Sequence, residues 1–143
     1  MVEHYRTLTP EALTDAQLAH YRNMWPLVIE RIEAALTEDG EPLVLEGSGV
    51  LPGRVAALGR LEVRAVWLTA APGLIEARVR RESNFGGQAP DVQAMIAKFI
   101  GRSQLYDAEV IGEVRALGLP LVEVTEAMLP EKVMEAALAA LRG

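Results

Sequence analysis

Three short apolar runs alternate with longer segments of helical periodicity, and this alternation limits the folds open to the chain. The runs occupy residues 43–45, 63–69 and 121–125 and are rich in valine and leucine. Strands that alternate with helices are typical of a parallel sheet covered by helices on both faces. The sequence therefore predicts a three-layer α/β fold, with a strand of a parallel sheet at each of these positions.

Caps and periodicity predict the helices around these strands. A helical pattern begins at Pro10, and Pro26 within it either kinks one helix or separates two. The longest pattern covers residues 92–117, and the last helix begins at Pro130. The expected organisation is one domain (1–143) with a helical N-terminal segment (1–40), a strand-helix core (41–143) and a lid region near 78–90.

Composition narrows the classes of function. The 143 residues carry a formal net charge of -6, which disfavours binding to nucleic acid or to an anionic membrane surface. The chain has no cysteine, so disulfides and thiolate metal sites are excluded. No stretch is long and apolar enough to span a bilayer, and the first residues lack a signal-peptide pattern. We therefore expect a cytoplasmic protein without a membrane or nucleic-acid partner.

Glu46 is the first candidate functional residue. It follows the predicted strand at 43–45 and precedes a loop that contains glycines. Ligands of parallel sheets collect beyond the carboxyl ends of the strands, where a carboxylate can hold Mg²⁺ through water or accept a proton from a substrate. The alternative is that Glu46 caps a local turn and the glycines only permit tight backbone geometry.

Three arginines near the end of a predicted helix form the second candidate. Arg78, Arg80 and Arg81 precede a glycine-containing break at residues 84–87. Guanidinium groups can bind phosphate, and a mobile loop beside them could close over a phosphorylated ligand. The alternative is a solvated helix end, where cations also favour the helix dipole.

Arg102 is the third candidate, on the longest predicted helix. It lies one turn from Tyr106 and interrupts an apolar neighbourhood. It could face the same pocket as the arginines at 78–81. Alternatively it points outward and pairs with Asp107 or Glu109, as helical arginines commonly do.

Four segments, in this order, resemble the later part of the P-loop nucleoside and nucleotide kinases, which include adenylate-kinase-like and chloramphenicol-phosphotransferase-like enzymes. They are LVLEGSGVLP (43–52), AVWLTAAPGLIEARVRRES (65–83), KFIGRSQLYDAEV (98–110) and LPLVEVTE (119–126). The resemblance covers most of the chain from about Leu36 onward and rests on the order and spacing of the segments. It implies a P-loop NTPase-like fold and transfer of the γ-phosphoryl group of ATP to a small metabolite.

The resemblance also implies roles for single residues. Glu46 would act at Mg²⁺ or at the substrate. Arg78, Arg81 and Arg102 would stabilise charge on the phosphates, as such side chains do in phosphoryl transfer. The loop that begins at Thr125 would lie near the adenine, so that Arg81, Arg102 and Thr125 would bind the nucleotide. The implied cofactors are ATP and Mg²⁺.

One motif of these kinases is absent. No G-x-x-x-x-G-K-[ST] string occurs, and residues 47–53 carry glycines without the lysine and hydroxyl that grip phosphates. The expected fold therefore lacks the first strands: the sequence is truncated, another chain supplies them, or phosphoryl transfer has been lost. Because the phosphate-binding loop is absent, we expect little or no kinase activity from this chain. Missing strands would also expose apolar sheet edges, and for that reason we expect a homo-oligomer.

Two functions stay open. One is a P-loop kinase-like protein that is inactive or incomplete as this chain. The other is a non-catalytic α/β module for binding or oligomerisation, with a sheet edge and the long helix as its interface. In a kinase the arginines should converge with Glu46 on one pocket, whereas in an interaction module they should scatter over the surface.

Overall fold

The computed structural model describes residues 2–37 and 39–142, with side chains from Tyr5 onward, and most of this part of the chain is helical. The elements, in chain order, are α1 (Val2–Thr7), α2 (Pro10–Ala35), α3 (Pro52–Ala56), β1 (Trp67–Ala70), α4 (Leu74–Glu82), a 3-10 turn (Phe85–Gly87), α5 (Pro90–Ala116), β2 (Leu121–Val124) and α6 (Pro130–Arg142). Two long helices, α2 and α5, are therefore the largest elements of the structure.

The first long helix, α2, is one helix that continues through Pro26. The hydroxyl oxygen of Thr9 caps it by accepting the N–H of Ala12 at 3.3 Å, and Pro10 occupies the first turn, where its missing N–H costs nothing. Pro26 is exposed, whereas its neighbour Trp25 is buried. Packing of the apolar side thus supports the helix across the one backbone hydrogen bond that the proline removes.

The two long helices, α2 and α5, pack side by side and run in the same direction. The hydroxyl of Thr14, near the start of α2, donates to the carbonyl oxygen of Arg102, in the middle of α5, at 3.3 Å. Further along both helices, Arg22 and Glu113 line one cleft. The buried apolar residues of this pair are Leu13, Leu18, Trp25, Ile32, Ile100 and Val114. The main core of the described structure therefore lies along this helix pair.

The sheet consists of two parallel strands. β1 pairs with β2 so that Trp67 lies opposite Leu121 and Ala70 lies opposite Val124. The first predicted strand in the chain, at residues 43–45, is not formed. These residues have no regular structure and are exposed. Residues 63–66 of the second predicted strand also stay outside β1.

The predicted three-layer, P-loop NTPase-like parallel sheet is therefore wrong. Each of the two strands is four residues long, and helices make up most of the remaining structure. The prediction failed because an apolar run of β-type composition becomes a strand only where a neighbouring strand pairs with its backbone. Residues 43–45 have the composition and lack the neighbour.

The two faces of the small sheet differ in their cover. Trp67 and Thr69 are buried on the face that meets α5, where the Thr69 hydroxyl donates to the carboxylate of Asp107 at 3.1 Å. Leu68 points to the other face and remains 52% exposed. The last helix, α6, contacts β2 but has no fully buried residue among those described. The outer face of β1 is therefore open.

Candidate functional site

Two tyrosines hold the loop at residues 47–50 against the long helices. The hydroxyl of Tyr21 (α2) lies 2.6 Å from the hydroxyl of Ser48, and the hydroxyl of Tyr106 (α5) donates to the carbonyl oxygen of Ser48. The side-chain amide of Gln17 donates to the Tyr21 hydroxyl at 2.8 Å. The two tyrosine rings meet edge to face, with centroids 6.1 Å apart. Ser48 is thus fastened from both helices.

The Tyr106 phenol is a neutral donor in this cluster. Burial raises its pKa to about 12, and the nearby Tyr21, Asp107 and Glu109 contribute in the same direction. The phenol therefore keeps its proton throughout the physiological pH range. Through its hydrogen bond to the carbonyl oxygen of Ser48, Tyr106 anchors the loop. In this pH range it is not a phenolate and does not serve as a proton acceptor.

The same loop is also fixed to the sheet. The indole N–H of Trp67, the first residue of β1, donates to the carbonyl oxygen of Val50 at 3.1 Å. On the N-terminal side of the fastened part, Gly47 has a φ of 133°, in a region that favours glycine. Beyond Gly47 lie the exposed residues 43–45, of which Val44 is 91% exposed. A fastened loop therefore adjoins an unpaired apolar segment.

Glu46 and Thr125, two of the predicted site residues, lie in different surroundings. Glu46 is exposed beside the 43–45 segment, and no hydrogen bond or ion pair within the described residues engages its carboxylate. Thr125 is half-buried just after β2, and its carbonyl oxygen accepts the N–H of Met128 at 3.2 Å. Thr125 thus begins the turn that leads to α6.

The arginines of α4 separate into two kinds. Arg80 donates to the carboxylate of Glu76 at 2.7 Å and covers the ring of Phe85, with its guanidinium carbon 4.2 Å from the ring centre. Arg78 and Arg81 are exposed, and no acidic side chain among the described residues pairs with them. Of the three α4 arginines, Arg78 and Arg81 can therefore meet an anion without first breaking an ion pair.

Arg102 packs against aromatic rings. Its guanidinium carbon lies 4.8 Å from the ring centre of Phe99 and 5.9 Å from that of Tyr5 in α1. Its Nε atom is buried and has no hydrogen-bond partner within the described chain. Neither Asp107 nor Glu109, the two outward partners considered from the sequence, forms an ion pair with it. The planar guanidinium group of Arg102 thus packs against one ring from α1 and one ring from α5.

The contact between Thr69 and Asp107 was missed by the sequence analysis. Asp107 is half-buried on α5, and burial raises the pKa of its carboxyl group, while the hydrogen bond from Thr69 acts in the opposite direction. The available signal was the spacing of Asp107, four residues after Ser103 and three before Val110 on the apolar face of α5. An acid at such a position needs a polar partner on the element that packs against it.

The described surface includes the following two clefts. One, of about 200 Å³, lies between α2, α3 and α5 and contains Arg22, Arg54, Glu109 and Glu113, with no ion pair among them within 4.0 Å. The other, of about 400 Å³, is mainly apolar and lies between residues 55–65 and α6. Neither cleft is lined by any of the predicted site residues, which are Glu46, Arg78, Arg81, Arg102 and Thr125.

Comparison with known proteins gave no family model, no curated protein and no solved structure that matches this chain. Among the described side chains, those of residues 5–37 and 39–142, no group of three or more histidine, aspartate and glutamate residues is placed to hold a metal ion. Within the same ranges, no helix has the length and apolar character needed to cross a membrane. A proposal of function therefore rests on the geometry of the chain itself.

Proposed function

We propose that this protein is a non-catalytic, mostly helical module that functions by self-association through its small sheet. The observation that carries the proposal is the accessible surface of the chain, which is 9644 Å². A compact monomer of 15.5 kDa is expected to expose about 7,200 Å². The excess of roughly 2,400 Å² is larger than the ~800 Å² that each partner contributes to an interface of standard size.

Exposed apolar side chains at and beside the sheet support this proposal. Leu68 is on the open face of β1, and Leu129 is exposed just before α6. In α6, Met134 and Leu138 are four residues apart, so they lie on one side of the helix, and both are exposed. Large apolar side chains left exposed near one another along an element can contribute to an interaction site. These positions therefore favour an interface that includes the sheet and α6.

The surroundings of the arginines also favour a module over a catalyst. Arg80 is occupied by Glu76, and Arg102 lies against Phe99, so the two serve different local contacts. Catalytic groups need to reach a substrate held beside them. The predicted site residues line neither of the two described clefts, and this distribution is the one expected of an interaction module.

Self-association is tested by sedimentation velocity from micromolar to millimolar protein. The buffer should contain about 0.15 M salt, where a Debye length of about 8 Å weakens the repulsion between chains of net charge -6. We expect the mass to rise from 15.5 kDa to twice that value as the concentration increases. A species of 15.5 kDa at every concentration would contradict the proposal.

Phosphoryl transfer from ATP with Mg²⁺ to a small metabolite stays a prediction from the sequence resemblance. A cytoplasmic location stays a prediction from the sequence patterns of membrane spans and signal peptides. A calorimetric titration of MgATP into the protein tests the first of these. A module of the proposed kind gives no binding heat at millimolar ATP. Binding that is lost in an Arg81→Ala, Arg102→Ala variant and kept in Arg31→Ala, an exposed arginine of α2, would favour the kinase instead.

A further inference from the structure

The 43–45 segment has the properties of a strand without a partner. Leu43, Val44 and Leu45 are all exposed, and no backbone hydrogen bond within the described chain engages them. Pro42 precedes the segment, a position at which a strand tolerates proline. Gly47 and the fastened loop follow it, so one end of the segment has a fixed place on the molecule. An apolar segment of this kind is suited to pair with a sheet edge.

The free edge of β1 is such an edge. Trp67 and Ala71 donate their backbone N–H groups to the carbonyl oxygens of Pro120 and Val124, so they face β2. Successive backbone groups of a strand point to opposite sides, and those of Leu68 and Ala70 therefore point away from β2. No backbone group among the described residues bonds to them there. Unpaired strand edges are templates for a further strand.

The side chains on both surfaces are compatible. In a strand at 43–45, Val44 would point to one face and Leu43 and Leu45 to the other. Along β1, Leu68 lies on the open face and Trp67 on the buried face. Apolar side chains of the added strand would therefore lie beside apolar side chains of β1 on each face of the enlarged sheet.

We propose that residues 43–45 of one copy add as a third strand to the free edge of β1 in a second copy. The proposal rests on the proposed self-association and names the surfaces that mediate it. The occupant is a second copy because each chain carries both an unpaired strand and an unpaired edge. A symmetric dimer uses both surfaces of both chains, whereas an unrelated partner would satisfy only one of them.

Disulfide trapping between differently labelled chains tests this pairing, and the absence of cysteine from the chain makes it specific. Leu68→Cys protein, labelled with ¹⁵N, is mixed with unlabelled Val44→Cys or Leu45→Cys protein under mild oxidation. Both variants of the 43–45 segment, here called the two donors, are needed because a shift of one residue in register moves a side chain to the other face of the sheet. We expect one donor to form a disulfide between a labelled and an unlabelled chain, identified by mass spectrometry of the linked peptides.

The matched control is Leu27→Cys, since Leu27 is 63% exposed and lies on α2, outside both surfaces. At micromolar protein, the trapped pair should form about a hundredfold faster than the control pair, because the effective concentration inside a complex is millimolar. Equal rates for both donors and the control would overturn the proposal. A Val44→Cys, Leu68→Cys or Leu45→Cys, Leu68→Cys chain that links only within itself would overturn it as well.

Sedimentation of the unmodified chain separates this inference from the proposed function. A dimer with no trapping above the control would overturn the strand pairing and leave self-association in place. A monomer at every concentration would overturn both. All four substituted positions are exposed, so the variants are expected to keep the fold of the chain.

Discussion

The α2–α5 helix pair and the β1–β2 sheet differ in how far each is completed within one chain. The helix pair contains most of the buried apolar residues, including the fully inaccessible Val114. The sheet leaves Leu68 half exposed and the backbone edge of β1 unpaired. A helix satisfies its backbone internally, so two helices need only bring their apolar sides together. A strand satisfies its backbone only through neighbouring strands, so each strand of a two-stranded sheet keeps one unpaired edge.

The 47–50 loop marks the border between these two regions. Tyr21 and Tyr106 bind Ser48 from the helix pair, and Trp67 binds Val50 from the sheet. On one side of Gly47 the chain is fixed by these contacts, and on the other side no backbone hydrogen bond within the described residues engages residues 43–45. Variants on the two sides should therefore respond differently.

Val114→Ala should give the largest effect, because it removes two carbons from the completed region. Loss of buried apolar contact and the resulting cavity should lower the free energy of unfolding by about 2 to 3 kcal/mol. Val44→Ala is the same substitution in the exposed 43–45 segment. It should change the free energy of unfolding by less than ~0.5 kcal/mol in dilute, monomeric protein. Urea unfolding measures both. Equal losses would mean that the two regions are equally packed.

Tyr106→Phe should have an intermediate effect, because it removes one hydrogen bond at the border. The expected loss in the free energy of unfolding is about 1 kcal/mol. The fold raises the pKa of this phenol from the ordinary 10.0 to about 12, so the stability from the neutral phenol is present below 10.0 and is lost as the pH rises towards about 12.

Ultraviolet titration of the phenolate band checks this directly. The unmodified chain should contain one tyrosine that titrates near a pKa of about 12, and Tyr106→Phe should remove that step. If the step near a pKa of about 12 persists in the variant, it belongs to another tyrosine. That result would count against the hydrogen bond between Tyr106 and Ser48.

Asp107→Asn should have the smallest effect and a defined dependence on pH. Burial raises the pKa of Asp107 above the ordinary 3.8, so its neutral form favours the folded state. That stability is fully present below 3.8 and is lost as the pH rises through the folded pKa. Asparagine stays neutral and can still accept a hydrogen bond from Thr69. The free energy of unfolding of the variant should therefore rise relative to that of the unmodified chain as the pH increases from acidic to neutral.

Chemical unfolding across that range measures the difference between the two proteins. Thr69→Val removes the hydrogen bond that lowers the pKa, so it should steepen the dependence of stability on pH between acidic and neutral values. A difference between Asp107→Asn and the unmodified chain that is constant or shrinks as the pH rises would show that burial does not control this carboxyl group.

The helices were largely predictable from the sequence, because their signals are local. Thr9 and Pro10 mark the start of α2 and Pro130 opens α6, as expected from capping and first-turn preferences. The strand at 43–45 was predicted from composition and was wrong, because a strand also depends on a partner far away in the sequence. The sequence offered no means of finding whether that partner is present in the same chain.

The contacts of the candidate site were beyond prediction for a related reason. The bond between Tyr106 and Ser48 joins residues 58 positions apart, and that between Thr69 and Asp107 joins residues 38 apart. Tyr106 was singled out only as a neighbour of Arg102. The predicted roles of Glu46, Arg78 and Arg81 rested on their positions in the sequence and on the resemblance, and all three are exposed in the structure.

Hydrogen exchange at low and high protein concentration tests the central claim, that a second copy completes the sheet. We expect the amides of Leu68 and Ala70 and of residues 43–45 to exchange rapidly in dilute protein, because no backbone partner protects them there. Their protection should rise with concentration, while the amides of Ile100 and Val114 in α5 keep the same protection throughout. Equal exchange at Leu68 and Ala70 in dilute and concentrated protein, with the chain shown to be associated, would contradict the claim.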